Sequence, residues 1–361
     1  MKPLSIVKDK RYLLARMGDI SQLAGLRRYE LADGKARGVE AVDFRTGTGF
    51  EFTVLPGRGM DIAWAFYQGV PLAYMSKTGI TAPAYYESEG INWLRSFYAG
   101  LLTTCGLTNA GWPSEYDEPA AGVVRHGLHG RVANAGAEQV CVREEWDGGV
   151  LRMSVSGRMR EAMLHCENLT LRREIASRLG ENELHLVDVI ENAGFSPRPL
   201  MILYHINIGY PLLDEGSRLL CNPRSTESAD DVAAADAAHF RVVYAPTHGI
   251  KEKVYFHDMP CRADGTTAVG VVNERLEVGL YVRFNKSQLP EFTQWKQLGE
   301  AEYVMGLEPG NCIPIGLAAQ DKRGRLERLQ PGERKTITLD IGVLTGLAEI
   351  RRFEETLSEL H

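Results

Sequence analysis

Apolar residues along most of this chain come in short runs, or alternate with polar ones, and turn residues separate the runs. That is the period of strands, not of helices. Gly38–Phe44 and Phe50–Leu55 flank the turn TGTG, and Ala63–Phe66 and Val70–Tyr74 flank Gln68-Gly69. Residues 100–111, GLLTTCGLTNAG, read as a strand running into a Gly/Asn turn. Four more strands follow: Gln139–Glu145, Val150–Gly157, Leu169–Ala176 and Glu183–Glu191. They are separated by Asp147-Gly148-Gly149, by residues 161–167 and by Leu179-Gly180-Glu181-Asn182. Leu200–Leu203, Lys253–His257, Ala268–Asn273, Val278–Asn285, Phe292–Leu298, Tyr303–Leu307 and Lys335–Val343 complete the series. Helical spacing shows at the two ends. In residues 1–30, Asp19 or Ser21 caps a short stripe containing Leu23 and Leu26; from 344 to 360 the apolar positions are Leu344, Leu347, Ile350, Phe353, Leu357 and Leu360. Residues 76–98 read as loop or short helix, and 214–240 as loop of mixed polarity. Closely spaced strands with turns between them predict a mainly β, antiparallel fold and not βαβ units. The expectation is a single β-sandwich over 1–361, with a helical N-terminal extension (about 1–30) and a C-terminal helix (about 344–361).

Composition narrows the class without changing it. Of 361 residues, 44% are hydrophobic and 24% charged, a globular balance, and the net charge is −6. Lysine and arginine are scattered, so there is no nucleic-acid footprint. Six cysteines without a CxxC read as reduced thiols, and no apolar run reaches the length of a signal peptide or a membrane span. A cytoplasmic protein is expected, monomeric or homodimeric.

Candidate chemistry centres on LMILYHINIGYP (200–211), where an apolar strand delivers His205 among Tyr204, Asn207 and Tyr210. A histidine titrates near neutrality and can move a proton. Glu308 follows the apolar lead-in Val304-Met305-Gly306-Leu307 and precedes Pro309-Gly310, which places a carboxyl at the end of a buried strand. His126 and His129 lie three apart in RHGLHGR, but no third metal ligand is near them. Arg58 in GRGMDI offers a bidentate fork to hydroxyls, a carboxylate or a phosphate; Asp61 either holds Arg58 or meets a ligand. Trp295 either stacks on a ligand ring or is ordinary core, with Lys296 beside it, and His257 is a lesser candidate. The glycines of GTG (47–49) and GRG (57–59) lack the following helix and GK[ST] of a phosphate loop.

The order HGLHGR, YHINIGYP, EYVMGLEPGNC and LQPGERKTITLDIGVL resembles the aldose 1-epimerase (galactose mutarotase-like) superfamily, over about residues 20–350. SQLAGLRRYELADG and GRGMDI resemble its little-characterised aldose 1-epimerase-like branch. The resemblance implies a β-supersandwich with a sugar site on its concave face. It implies His205 as general acid to the ring oxygen, Glu308 as general base to the anomeric hydroxyl, and His129 of Leu128-His129-Gly130 as a sugar-binding residue. Asn109 stands nearest to the family's strand arginine, and Glu252 loosely matches a family aspartate. A neighbouring carboxylate is expected to raise the His205 pKa, and acid and base are expected to stand about one sugar ring apart. The implied reaction is anomer (or epimer) interconversion of an aldose, with no metal and no cofactor. The alternative is a non-catalytic carbohydrate-binding or sugar-sensing protein. Arg58 and Lys296 leave a phosphorylated or acidic sugar open.

Overall fold

The computed structural model describes residues 9–118 and 121–360; residues 1–8 of the expected N-terminal extension lie outside them. Among the described residues, two antiparallel sheets dominate, one of twelve strands and one of eight. The central path of the larger sheet runs Asp61–Tyr67, Leu102–Leu107, Arg198–Gly209, Glu302–Gly310, Glu291–Gly299, Lys253–Asp258. The smaller runs Arg218–Leu220, Thr266–Asn273, Val278–Asn285, Arg334–Thr345, Glu183–Asn192, Asn168–Arg178, Val150–Ala162, Glu138–Asp147. Their facing sides make one continuous core, to which Phe44, Phe52, Ile175, Leu186, Ile206, Leu280 and Ile341 belong. No helix among the described residues is long and apolar enough to cross a membrane.

The Arg198–Gly209 strand is buried along its whole length. Leu200, Ile202, Tyr204, Ile206 and Ile208 point into the core between the sheets. Met201 and Leu203 point the other way, into a second apolar cluster with Trp93, Phe97, Leu128 and Leu317. A strand covered on both faces shows no alternation in sequence, so Leu200–Leu203 marks only part of its first half.

A charged network crosses the core beneath this strand. Arg173 and Asp188 face each other on neighbouring strands and form a bidentate pair, Nε–Oδ1 2.8 Å and Nη2–Oδ2 2.7 Å. Arg173 Nη1 also donates to Asp61 Oδ1 across the sandwich at 2.9 Å. Asp61 accepts from the Thr104 amide and hydroxyl at 3.0 and 2.6 Å, and Tyr204 Oη donates to Asp188 at 2.7 Å. Asp61 is therefore a structural residue and not a substrate contact, and its charge partner is Arg173.

The ends differ from the expected pattern in instructive ways. Asp19 does cap, accepting from the Ser21 amide at 2.8 Å, but it starts only the short turn Ile20–Gln22. Gly25–Glu30 then joins the sheet as an edge strand on Glu40–Arg45. Two leucines cannot offset the cost of nucleating a helix when a sheet edge supplies backbone partners along six residues. The C-terminal helix, Leu347–Ser358, starts later than the leucine pattern, because Leu344 is still in strand Arg334–Thr345. Ile350 and Leu357 pack it onto the smaller sheet with Val272 and Tyr281.

Replacing Arg173 by Met strands two buried carboxylates and is expected to cost about 3–5 kcal/mol in urea unfolding. Arg125→Met, which removes a surface pair with Glu115, is expected to leave the midpoint essentially unmoved. Equal effects of the two substitutions would show that the network carries no special weight.

Candidate active site

A cleft of about 490 Å³ opens on the face of the twelve-stranded sheet turned away from the core. Its floor comes from three adjacent strands. His205 and Glu308 lie opposite each other, in the register that pairs Ile206 with Leu307. On the next strand, Trp295 lies opposite Gly306. Trp93, Phe97, Trp112 and His129 form one wall, and Asp230, Glu252 and Phe256 the other. Hollows of about 560 and 600 Å³ elsewhere on the surface contain no buried acid–base pair.

His205 Nε2 stands 3.2 Å from Glu308 Oε1, both side chains almost fully buried. The two are in ion-pair reach but not aligned as a hydrogen bond: Glu308 Oε1 and His205 Nδ1 each lack a hydrogen-bond partner. Phe97, Trp295 and His129 surround the imidazole, with ring centroids at 5.4, 5.3 and 5.9 Å. Burial, with a smaller contribution from His129, brings the His205 pKa down to about 3. Burial, assisted by Glu252, pushes the Glu308 carboxyl well above the usual carboxylate range. Both shifts favour uncharged forms, a neutral imidazole beside a protonated carboxyl. The expected upward shift of His205 does not occur: burial disfavours the imidazolium, and the Glu308 carboxyl, itself pushed toward its neutral form, does not offset it. Nor does a sugar ring separate the two groups.

Gly306 makes this arrangement possible. A Cβ there would collide with Glu308 Oε1 and lie 3.0 Å from Trp295 Cβ and 3.2 Å from His205 Cε1. The carboxyl occupies the space that a side chain at 306 would need.

His129 sits in the left-handed region, φ 57°, in the tight turn of HGLHG. Its amide donates to Gly111 O at 2.8 Å and its carbonyl accepts from Gly106 N at 3.0 Å. Gly130, φ 72°, follows where backbone carbonyls of Gly106 and Asn109 leave no room for a Cβ. The His129 ring accepts from the Gly111 amide through Nδ1 at 3.2 Å. The proton of the neutral ring is then on Nε2, which leaves a donor for a ligand. Burial lowers the His129 pKa to about 4, so the ring stays neutral. Glu252 accepts from Trp295 Nε1 at 2.8 Å and fixes the indole.

The cleft thus gathers His205, Glu308, His129, Trp295 and Glu252. The other sequence candidates are elsewhere. Arg58 is buried, donating to the carbonyls of Thr81, Ala133 (2.9 Å) and Ser96 (3.2 Å) over the ring of Tyr98. Asn109 braces loops: it donates to Gly127 O at 2.8 Å and accepts from the Leu317 amide at 2.7 Å. His126 is buried outside the cleft lining, and burial lowers its pKa. Lys296, one residue from Trp295, points to the opposite face and pairs with Asp236 at 3.1 Å. His257 lies between Thr226 and Gln294, at 2.9 and 3.0 Å. Tyr204 is in the core network, and Tyr210 is exposed. Sequence reading missed Gly306, Trp93, Phe97, Trp112 and Asp230. Gly306 alone had a signal, being two residues before Glu308 and so on its face of the strand; Trp93 comes from the short 3-10 turn Asn92–Arg95 and the others from loops.

A family model described as a domain of unknown function (DUF4432) matches residues 36–343. No curated protein matches the chain. Among solved structures, a Klebsiella pneumoniae protein provisionally named an aldose 1-epimerase is 25% identical, with TM-score 0.88, covering 94% of this chain and 90% of its own. A galactose mutarotase-like protein from Clostridium acetobutylicum is 13% identical, with TM-score 0.64, covering 90% and 99%. Galactose 1-epimerase from Lactobacillus acidophilus is 13% identical, with TM-score 0.56, also covering 90% and 99%. The fold is the galactose mutarotase-like β-sandwich.

In nitrogen NMR, His205 and His129 are expected to keep neutral-imidazole shifts down to about pH 5, with the His129 proton on Nε2. A midpoint near 6.5 for either ring contradicts this description of the floor.

Proposed function

The chain belongs to the DUF4432 family, and we propose that it is an aldose 1-epimerase-like isomerase, interconverting the anomers of an uncharged aldose by acid–base ring opening. The observation that carries the reading is the cross-strand pair His205–Glu308, side by side at 3.2 Å on the floor of an aromatic cleft. In a hemiacetal the O1 hydroxyl and the ring oxygen share one carbon. An acid and a base must therefore reach two neighbouring oxygens, and adjacent groups suit that better than groups on opposite sides of a ring.

The neutral forms set the direction of the first step. Glu308 gives its proton to the ring oxygen as the C1–O bond breaks, and His205 Nε2 takes the proton of O1. An open-chain aldehyde results, beside a carboxylate and an imidazolium that stabilise each other at short range in a dry site. Rotation about C1–C2 presents the other carbonyl face. Imidazolium then returns its proton to the carbonyl oxygen, carboxylate takes the proton of the attacking hydroxyl, and the ring closes as the other anomer. These roles are the reverse of those the family resemblance implies. Neither transfer calls for a metal or cofactor. His129 Nε2–H donates to a sugar oxygen, and Trp295 offers its face to the C–H side of the ring.

The substrate's charge follows from the lining. Among the described residues lining the cleft none is lysine or arginine, and Glu252 and Asp230 are acidic. A phosphate or uronate would find no counter-charge there, and Arg58 and Lys296 are engaged elsewhere. The name of the Klebsiella pneumoniae protein agrees with this reading.

Saturation-transfer NMR over a panel of free sugars tests the proposal. At least one neutral aldose is expected to exchange anomers faster than in buffer; none doing so overturns the reading. Glu308→Gln and His205→Asn are each expected to lose about 10²–10⁴-fold in rate. Gly306→Ala is expected to fall in the same direction by displacing the Glu308 carboxyl. The rate should persist below about pH 5, since His205 protonates only at about 3, and should fall on the alkaline side as Glu308 ionises. A rate that falls instead on acidification through about 6.5 would overturn the neutral, low-pKa His205 base.

A further inference from the structure

The mouth of the cleft has features that a single sugar on the floor does not use. Trp112, Ile91 and Leu94 line the cleft and are 58%, 55% and 46% exposed. Scattered surface apolar residues need no account, but these three share one rim, continuous with the floor. The rim is also rigid at its centre. Asn109 Nδ2 donates to the Trp112 carbonyl at 3.2 Å and to Gly127 O at 2.8 Å. Gly111 forms an antiparallel bridge with Ile315. Gly316, φ 87°, packs so tightly on the Trp112 carbonyl that a Cβ does not fit. An exposed indole is thus presented on a fixed backbone, so a ligand that stacks on it orders little else.

On the side of the cleft formed by the Lys253–Asp258 edge stand Asp230 and Glu252, both exposed; one oxygen of each accepts within the protein, from the Ala233 amide and from Trp295 Nε1, both at 2.8 Å, and the other is able to accept from a hydroxyl. On the cleft wall, Trp93 Nε1–H is buried without an acceptor. An apolar face opposite hydroxyl acceptors is the complement of a pyranose, which has a C–H face and a hydroxyl edge.

We infer that the mouth is a subsite for a second, uncharged sugar ring, stacked on Trp112, so that the preferred substrate is a reducing disaccharide whose reducing ring lies at His205 and Glu308. This rests on the proposed function. The anomeric centre must be free at the floor, so the second ring is joined through another hydroxyl of the reducing ring and extends outward. The absence of lysine and arginine from the described lining residues keeps that ring uncharged.

Anomer exchange is to be measured on neutral monosaccharides and on reducing disaccharides that carry each of them at the reducing end, with wild type and Trp112→Ala. A higher kcat/KM is expected for at least one disaccharide than for its monosaccharide. In Trp112→Ala the disaccharide-to-monosaccharide ratio should fall about tenfold, a stacking contact's worth of discrimination. An unchanged ratio, or no disaccharide preferred by the wild type, overturns the subsite while leaving the isomerase reading intact. Absence of exchange for every sugar overturns the isomerase reading; binding then decides the subsite. A disaccharide must still quench tryptophan fluorescence of the wild type and bind Trp112→Ala at least several-fold more weakly, and failure of either overturns it.

Discussion

The Arg198–Gly209 strand depends on a network on its hidden face. Tyr204 is tied to Asp188, Asp188 to Arg173, and Arg173 to Asp61 on a strand of the same sheet as Tyr204. Buried charges of this kind are tolerated only with every partner in place. They therefore hold the two sheets, and the strand, in one register. A slip of one residue would turn His205 into the core and Tyr204 into the cleft. The placement of His205 against Glu308 is thus enforced from the opposite side of the sheet, by residues that touch no ligand.

The same double burial sets the electrostatics. On the core side a charged arginine matches two carboxylates. On the cleft side, none of the described lining residues is lysine or arginine, and Trp93, Phe97, Trp295 and Leu128 help bury His205 and Glu308. Uncharged forms win there because desolvation exceeds a mutual attraction that exists only once a proton has moved. A site of this type holds its proton in store and separates charge only during reaction. Glu252 contributes twice, fixing the Trp295 indole and disfavouring ionisation of Glu308.

Most of the strand ladder was legible because the smaller sheet buries one face and wets the other, as the alternating burial of Glu183–Asn192 shows. Phe50–Leu55 and Val278–Asn285 have the expected bounds. Legibility failed at Gly25–Glu30, where a distant partner strand overrides a weak helical stripe. At the site, His205, Glu308 and His129 were legible through the order of motifs. Arg58, Asp61, Lys296 and His257 were chosen for their chemistry and Asn109 for its place in the family resemblance, yet each meets a partner remote in sequence. Lys296 could not have shared the cleft with Trp295, since neighbours on a strand face opposite ways.

By itself the sequence determined the class of fold, most of the long strands and their turns, and the residue types able to move protons, since period, turn chemistry and side-chain chemistry are local; Gly25–Glu30, Arg218–Leu220 and Ser225–Ser228 became strands only through their partners. Only the tertiary structure decided which face each residue occupies, which polar groups are structural, and that His205 and Glu308 stand adjacent in a buried setting that favours their neutral forms. Those depend on the register of strands about a hundred residues apart and on burial, neither of which is a property of any single stretch of chain.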